Sequence, residues 1–347
     1  MRHGETAEGS CDVSDKSKIE WTDATWNPIR GCSRVSEGCR NCYAERFATR
    51  FRGPGEIYDG LTIVNGSGDP QWTGEVKFIP ELLDQPLHWK RPRKIFVNSM
   101  SDLFHEKVKD ETICRIFAVM ALSPEHTFQV LTKRPSRMLG FMIAGLAAAD
   151  NRRWIQDILE EEFHDRDAAY KLMDRWPLSN VWLGVSVEDQ KTADERIPLL
   201  LQTPAAVRWV SYEPALGPIN FRCIKEACED HDNYFDAIGG IRSIRPCLDW
   251  IVAGGESGPG ARPMHPDWAR AVRDQCQDAR VPFFFKQWGE WISLANWPDA
   301  EGYDPKCTFI GKNCDGGLML RVGKKRAGHK LDGEVLQQFP SAKAVSA

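Results

Sequence analysis

The chain has 347 residues, enough to bury a large core as two domains or as one α/β barrel with additions. With 45 Lys and Arg against 49 Asp and Glu the net charge is −4, so no global basic field marks a nucleic-acid binder. No apolar run reaches membrane length and the first residues are polar, without an apolar signal core, so the expectation is a protein of a reducing, cytoplasmic compartment with no membrane contact.

In that setting the eleven cysteines are expected as thiols or metal ligands rather than disulfides. Residues 1–17 have no periodicity and read as a flexible tail. The aromatic and β-branched stretch 21–29 is expected as the first strand or its approach, and it delivers the chain to a loop over 30–44. There Cys32, Cys39 and Cys42 stand with six and then two residues between them. A C-x-x-C pair lets two thiolates point the same way across a tight turn, and Gly31, Gly38 and Asn41 supply the backbone freedom that folds Cys32 back beside them.

Three sulfurs can thus converge on one centre. A structural zinc takes four protein ligands in a closed tetrahedron, and no histidine or further cysteine follows at the usual spacing. A [4Fe–4S] cluster held by three cysteines keeps one iron open to an amino and a carboxylate group. A zinc or other metal completed by a distant ligand, and three unligated core cysteines, are the other readings of the same residues.

Beyond the loop, 43–52 reads as a short basic helix and 53–74, rich in Gly and Pro, as an irregular excursion. Six apolar runs follow, at 94–98, 127–132, 180–186, 207–211, 249–253 and 281–285. Continuous apolar strands separated by helices are what a parallel sheet covered on both faces requires. The helices are expected at 110–122, 153–174, 193–201 and 267–279. Together with the first strand this predicts an α/β fold, a full or partial parallel (β/α) barrel of about six to seven strands. A doubly wound open sheet is the alternative, but a three-cysteine loop stands where its glycine-rich phosphate loop would be. The stretch 140–178 is long for one crossover and is expected to carry an extra helix, and 217–247 is a loop-rich insertion. The predicted organisation is a tail over 1–17, a barrel over 18–289 and a C-terminal extension over 290–347 packed on the barrel.

In α/β barrels the loops after the strands build the active site. Here those ends carry Asn98, Ser99 and Asp102; Thr132, Lys133 and Arg134; Ser186 and Glu188; Glu213; Gly254, Gly255 and Glu256; and Lys286 and Gln287. Polar residues at so many corresponding positions predict a pocket that handles charged groups. The basic runs 91–94 and 324–326 are expected as solvated surface. Cys114 and Cys276 fall in helical segments and are expected to be buried. Cys223, Cys228 and Cys247 with His231, and Cys307 with Cys314, are loosely spaced candidates for a second metal site.

The stretch 18–28, the loop from Cys32 to Ala44 and the run from Gly254 to Gly258 together resemble a phage and bacterial family of three-cysteine, radical-SAM-like proteins of unknown function, from about Lys18 to Pro340. SAM here is S-adenosylmethionine. Most radical SAM enzymes place three residues between the first two cysteines and an aromatic residue before the third, whereas this chain has six and Asn41, with Tyr43 just after. The resemblance implies a [4Fe–4S] cluster on Cys32, Cys39 and Cys42, with SAM on its open iron. It also implies reductive cleavage of SAM and hydrogen abstraction from an unidentified substrate, nucleic acid among the candidates, with an electron donor such as flavodoxin or ferredoxin.

A SAM pocket has to pair a carboxylate with a cation and hold an amino group and ribose hydroxyls. Lys133 and Arg134 suit the first task, and Asp102, Glu188 or Glu213 the second; ion pairs among these same residues are the alternative. Radical SAM enzymes often carry a glycine-glycine-glutamate run at the end of the second strand, where it binds the methionyl amino group. Gly254, Gly255 and Glu256 end the sixth strand instead, so that role does not carry over, and what they offer is close approach of a ligand to the backbone. The rival from another class is a non-catalytic zinc or iron–sulfur metalloprotein that binds a nucleic acid or a partner protein. A hydrolase using Glu188 and Glu213 as paired carboxylates leaves the cysteine loop without a role.

Overall fold

A computed structural model describes residues 17–147, 150–227, 232–240, 245–294, 308–312 and 318–341. The tail expected over 1–17 lies outside the described residues except for Ser17, and so do Cys228, His231, Cys307 and Cys314.

One seven-stranded sheet organises the chain: β1 (Ala24–Trp26), β2 (Lys94–Val97), β3 (Thr127–Thr132), β4 (Val181–Val187), β5 (Val207–Tyr212), β6 (Trp250–Gly254) and β7 (Phe283–Gln287). Each strand pairs in parallel with the next in the chain, Trp26 opposite Val97 and Val185 opposite Val210. Because the order never reverses, right-handed crossovers put their helices on one face. The sheet is therefore singly wound, and the doubly wound alternative does not apply. The helices are α1 (Tyr43–Ala48), α2 (Asp110–Leu122), α3 (Pro135–Ala147), α4 (Asp150–Glu161), α5 (Arg166–Asp174), α6 (Gln190–Gln202) and α7 (Pro266–Ala279), with a single turn, α8 (Lys324–Ala327), in the C-terminal segment.

Alternation along the strands separates two cores. Ile95 and Val97 of β2 pack in the same cluster as Ile113 and Phe117 of α2, whereas Phe96 belongs with Trp21, Trp209, Trp250 and Phe284. The second cluster measures the curl of the sheet. Trp21, just ahead of β1, has its ring 5.1 Å from Trp209 of β5 and 6.3 Å from Trp250 of β6. In a flat sheet β1 and β5 lie about 19 Å apart, four spacings of about 4.8 Å. The sheet is thus rolled into a half-barrel with an aromatic lumen. Gly184 of β4 makes this packing possible, since a Cβ there would stand 2.5 Å from the Trp209 indole.

β1 and β7 do not pair with each other, so the barrel is partial. Part of the edge of β7 is covered by the C-terminal segment. Phe284 bridges Gln337 in antiparallel sense, Phe285 N donates to Leu336 O at 2.7 Å, and the Phe339 ring lies 5.3 Å from both Trp250 and Phe284. After β7, Trp291–Ser293, Leu318–Arg321 and Thr308–Lys312 make a separate antiparallel sheet.

Several local expectations are corrected. The single helix expected over 153–174 is two, α4 and α5, with Asp165 capping the second by accepting from Ala168 N at 2.8 Å. The crossover expected to hold one extra helix also contains α3. The excursion 53–74 is not wholly irregular: Thr62–Val64 pairs with Pro70–Trp72, and Trp72 N donates to the buried Glu45 carboxylate. Within 217–247, Ile224–Ala227 and Asp232–Phe235 form a hairpin. Among the described residues no helix is long and apolar enough to cross a membrane.

Candidate functional site

The polar strand ends meet the cysteine loop around one cavity of about 510 Å³. Cys32, Cys39 and Cys42 all line it. Around the same cavity stand Asn98, Ser99 and Asp102 beyond β2, Thr132, Lys133 and Arg134 at β3, Ser186 of β4, Glu213 beyond β5, Gly255 and Glu256 beyond β6, and Lys286 and Gln287 at β7. Glu188 and Gly254 do not line it: Glu188 stands behind Lys133, and Gly254 stands behind Glu213.

The acids at this mouth are already engaged. Asp102 accepts from Thr132 Oγ1 at 2.7 Å, Phe104 N and Arg134 Nη1 at 3.0 Å each, and Lys133 N at 3.1 Å. Glu188 accepts from Lys133 Nζ, Ser36 Oγ and the buried Arg196. Burial alone would raise its pKa, but Lys133 and then Arg196 hold the carboxyl below the ordinary carboxylate range. Glu213 pairs with Lys286 at 2.8 Å. Glu256 accepts from Asn41 Nδ2 at 3.0 Å and from Arg262 N, Nε and Nη2 at 2.8, 2.9 and 2.6 Å. Here too burial is outweighed, by the Arg262 hydrogen bonds first, and the carboxyl is held low.

These pairs also fix the cysteine loop in place. Asn41, between Cys39 and Cys42, donates to Glu256 and to Gly260 O, and Arg262 Nη2 donates to Glu37 O at 2.9 Å. Gly38 presses onto Glu188, where a Cβ would lie 2.3 Å from Oε1, so only glycine lets the loop sit so close. On the other flank Ser33 Oγ accepts from Arg134 Nη2 at 2.7 Å. His105 Nδ1 accepts from Lys107 N, which leaves Nε2 to donate to the same Ser33 oxygen at 2.9 Å. Arg34 grips the buried Glu45 at 2.6 Å, tying the loop to α1. The Gly254–Gly255–Glu256 turn thus has its carboxylate committed to the loop.

The three thiols are electrostatic neighbours. Burial pushes Cys32 up to about 12, with Asp102 adding to it and Arg134 opposing, and burial pushes Cys42 up to about 11; Cys39 acts on both. Arg134 Nη1 donates to Cys32 Sγ at 3.8 Å. Among the described residues no group of three or more His, Cys, Asp or Glu is arranged to hold a metal ion. A single tetrahedral zinc needs sulfurs about 3.8 Å apart, from bonds of about 2.3 Å. In a cube each thiolate sits on its own iron, so the sulfurs stand wider apart. Three thiols lining one cavity, with Arg134 bonded to Cys32, offer such a group three donors and a compensating positive charge.

Cys223 is exposed and Cys247 buried, and the residues that would complete a second site with them lie outside the described residues; Cys114 and Cys276 are buried in α2 and α7. Arg196, Arg262 and Glu45 were not singled out from the sequence. Their signal is weak there, because each acts through partners brought together only by the fold.

Fold and site together define a singly wound parallel α/β half-barrel that carries a three-thiol loop over the C-terminal ends of its strands. Within that class the chain belongs to a family described as "protein of unknown function (DUF5131)", which matches residues 16–340. No match was found among curated proteins or among solved structures.

Proposed function

We propose that this protein is a radical SAM enzyme. Cys32, Cys39 and Cys42 would hold a [4Fe–4S] cluster, and the half-barrel mouth would hold SAM. The observation that carries the reading is that the three thiols of one loop line one cavity with the strand-end polar groups. The chemistry such a cluster would supply is the one-electron reduction of the SAM sulfonium, with cleavage of a C–S bond and hydrogen abstraction from the substrate. An external one-electron donor such as flavodoxin or ferredoxin completes the balance, and a nucleic acid is one substrate class the reading admits.

The chain's own residues have definite tasks in it. Arg134 stabilises the Cys32 thiolate by its hydrogen bond, while Asn41, Arg262 and Glu256 hold the loop against the strand ends. The apolar wall of Trp21, Phe96 and Leu131 excludes water. For the amino-acid end of SAM the Lys286–Glu213 pair is better placed than Lys133–Glu188. Lys286 can move to the ligand carboxylate and Glu213 to its amino group, whereas Glu188 is 1% exposed and also held by Arg196.

Anaerobic reconstitution tests the proposal. The expected result is a brown protein with near-ultraviolet and visible charge-transfer absorbance, and a reduced-state electron paramagnetic resonance signal that changes on adding SAM. Replacing any one of the three cysteines with Ala removes most of that absorbance. Full iron content in the triple variant, or a colourless protein holding one zinc, overturns the proposal and favours the non-catalytic metalloprotein.

A further inference from the structure

We infer that the inner wall of the cavity is an adenine site, in which the buried amide of Asn98 reads the edge of the ring and Gln287 accepts from a further donor of the same ligand. This assigns the adenosyl half of the pocket proposed above and rests on that reading only for the identity of the natural ligand.

Asn98 lines the cavity and is 2% exposed, yet neither its Oδ1 nor its Nδ2 has a hydrogen-bond partner. A buried amide with donor and acceptor both unmet opposes folding and calls for a ligand that meets them. Its backbone is committed, with φ at 62° and N–H donating to Trp26 O at 2.8 Å. Asparagine tolerates that left-handed conformation better than other residues with a side chain.

Gln287, also 2% exposed, stands at the end of β7. Its Nε2 donates to Ser257 Oγ at 2.8 Å and to Glu213 Oε1 at 3.3 Å, which sets the amide orientation and leaves Oε1 without a partner. Phe96, Trp21 and Leu131 give the same cavity an apolar wall.

Asp102, Glu188, Glu213 and Glu256 are each met by a cation of the chain, and the atoms left unmet at Asn98 and Gln287 are neutral. A carboxylate or phosphate would leave Asn98 Oδ1 without a donor, and a hydrocarbon would leave both atoms unmet. Adenine presents an exocyclic amino donor beside a ring-nitrogen acceptor, the complement of a side-chain amide, on a flat apolar ring. The cavity volume lies within the range of about 300–1,000 Å³ that small-ligand sites span.

The test uses metal-free protein, so that no cluster is needed, and calorimetric titration with adenosine, with purine riboside (which lacks the amino group) and with uridine. Adenosine is expected to bind roughly three- to tenfold tighter than purine riboside, the effect of one neutral hydrogen bond, and uridine more weakly than adenosine because its single ring covers less of the apolar wall. In Asn98→Gly, which accepts the left-handed backbone and loses the amide, the adenosine to purine riboside ratio falls to about one while the melting temperature does not fall. Asn98→Asp, which loses the amide donor, lowers adenosine affinity and serves if the glycine variant fails to fold. Equal affinities in the wild type, a ratio unchanged in both variants, or an ordered water on both Asn98 atoms with no nucleoside bound overturns the inference. Adenosine binding with no cluster on reconstitution leaves this site standing and removes the radical SAM reading. A cluster that responds to SAM, with the ratio insensitive to Asn98, does the reverse.

Discussion

The two ends of the same seven strands are built to opposite rules. Towards their N-terminal ends the lumen is filled by Trp182, Trp209, Trp250 and Phe284 with Trp21 and Phe339, an apolar plug whose rings meet at 5.1–6.3 Å. Towards their C-terminal ends Asp102, Glu188, Glu213 and Glu256 all stand in ion pairs around an open cavity. The plug rolls the sheet and holds it; the mouth positions groups and leaves room between them. Charge at a strand end is therefore weak evidence of ligand contact by itself, because a partly buried carboxylate first finds a cation of its own chain.

The largest expected effect comes from breaking the plug. Trp250 is fully buried, touches Trp209, Phe284 and Phe339, and donates from Nε1 to Gln338 O at 2.9 Å. Trp250→Ala is expected to cost about 3–5 kcal/mol of unfolding free energy, since it leaves a cavity and an unpaired carbonyl. Urea unfolding followed by circular dichroism measures it. A loss below about 1 kcal/mol would show that the lumen collapses around the gap and that the plug does not set the curl.

At the mouth the expected effect is smaller and local. Glu256→Ala removes the acceptor shared by Asn41 and Arg262, a loss of about 1.5–3 kcal/mol for charge-assisted bonds of this kind. Because those partners belong to the cysteine loop and the turn after β6, amide hydrogen exchange should rise over 36–42 and 258–262 while β3 to β5 stay protected. Uniformly faster exchange across the sheet would place Glu256 in the fold's general stability rather than in the loop's anchorage.

How much of this was legible in the sequence follows the same division. β2 to β7 were readable because strands buried on both faces run continuously apolar, and α2 was read with its observed bounds, Asp110–Leu122, with acids in its first turn. The helix α3 was harder, since Gly140 lowers its propensity and its start is marked only by Pro135 at the first helical position. The cysteines and the strand-end residues were identifiable by type and position. Their partners were not, because Asn41 meets Glu256 across 215 residues and Lys133 meets Glu188 across 55, separations that only the rolled sheet closes. Asn98 was visible as a polar strand end, but that its amide is buried without partners is a property of the packed structure alone.

The smallest effect is in pH, and it distinguishes the two ends without perturbing the plug. Glu188 and Glu256 are held below the ordinary carboxylate range in the folded protein, Glu188 by Lys133 and Arg196 and Glu256 chiefly by Arg262. A carboxyl whose folded pKa is depressed binds its proton more readily when unfolded. Its contribution to stability is then fully present above the unfolded value of about 4.3 and is lost as pH falls towards the folded value. The melting temperature of the wild type should therefore fall on acidification below about pH 4.3, through these two groups among other paired acids. Glu188→Gln and Glu256→Gln should each melt lower than the wild type at pH 6, and the gap should narrow as the pH is taken down to 3. The plug contains no titratable group, so the deficit of Trp250→Ala should stay constant over the same interval. A gap for the two glutamine variants that is equally constant would mean that the mouth stabilises by packing, as the plug does, and that its ion pairs contribute nothing as charges.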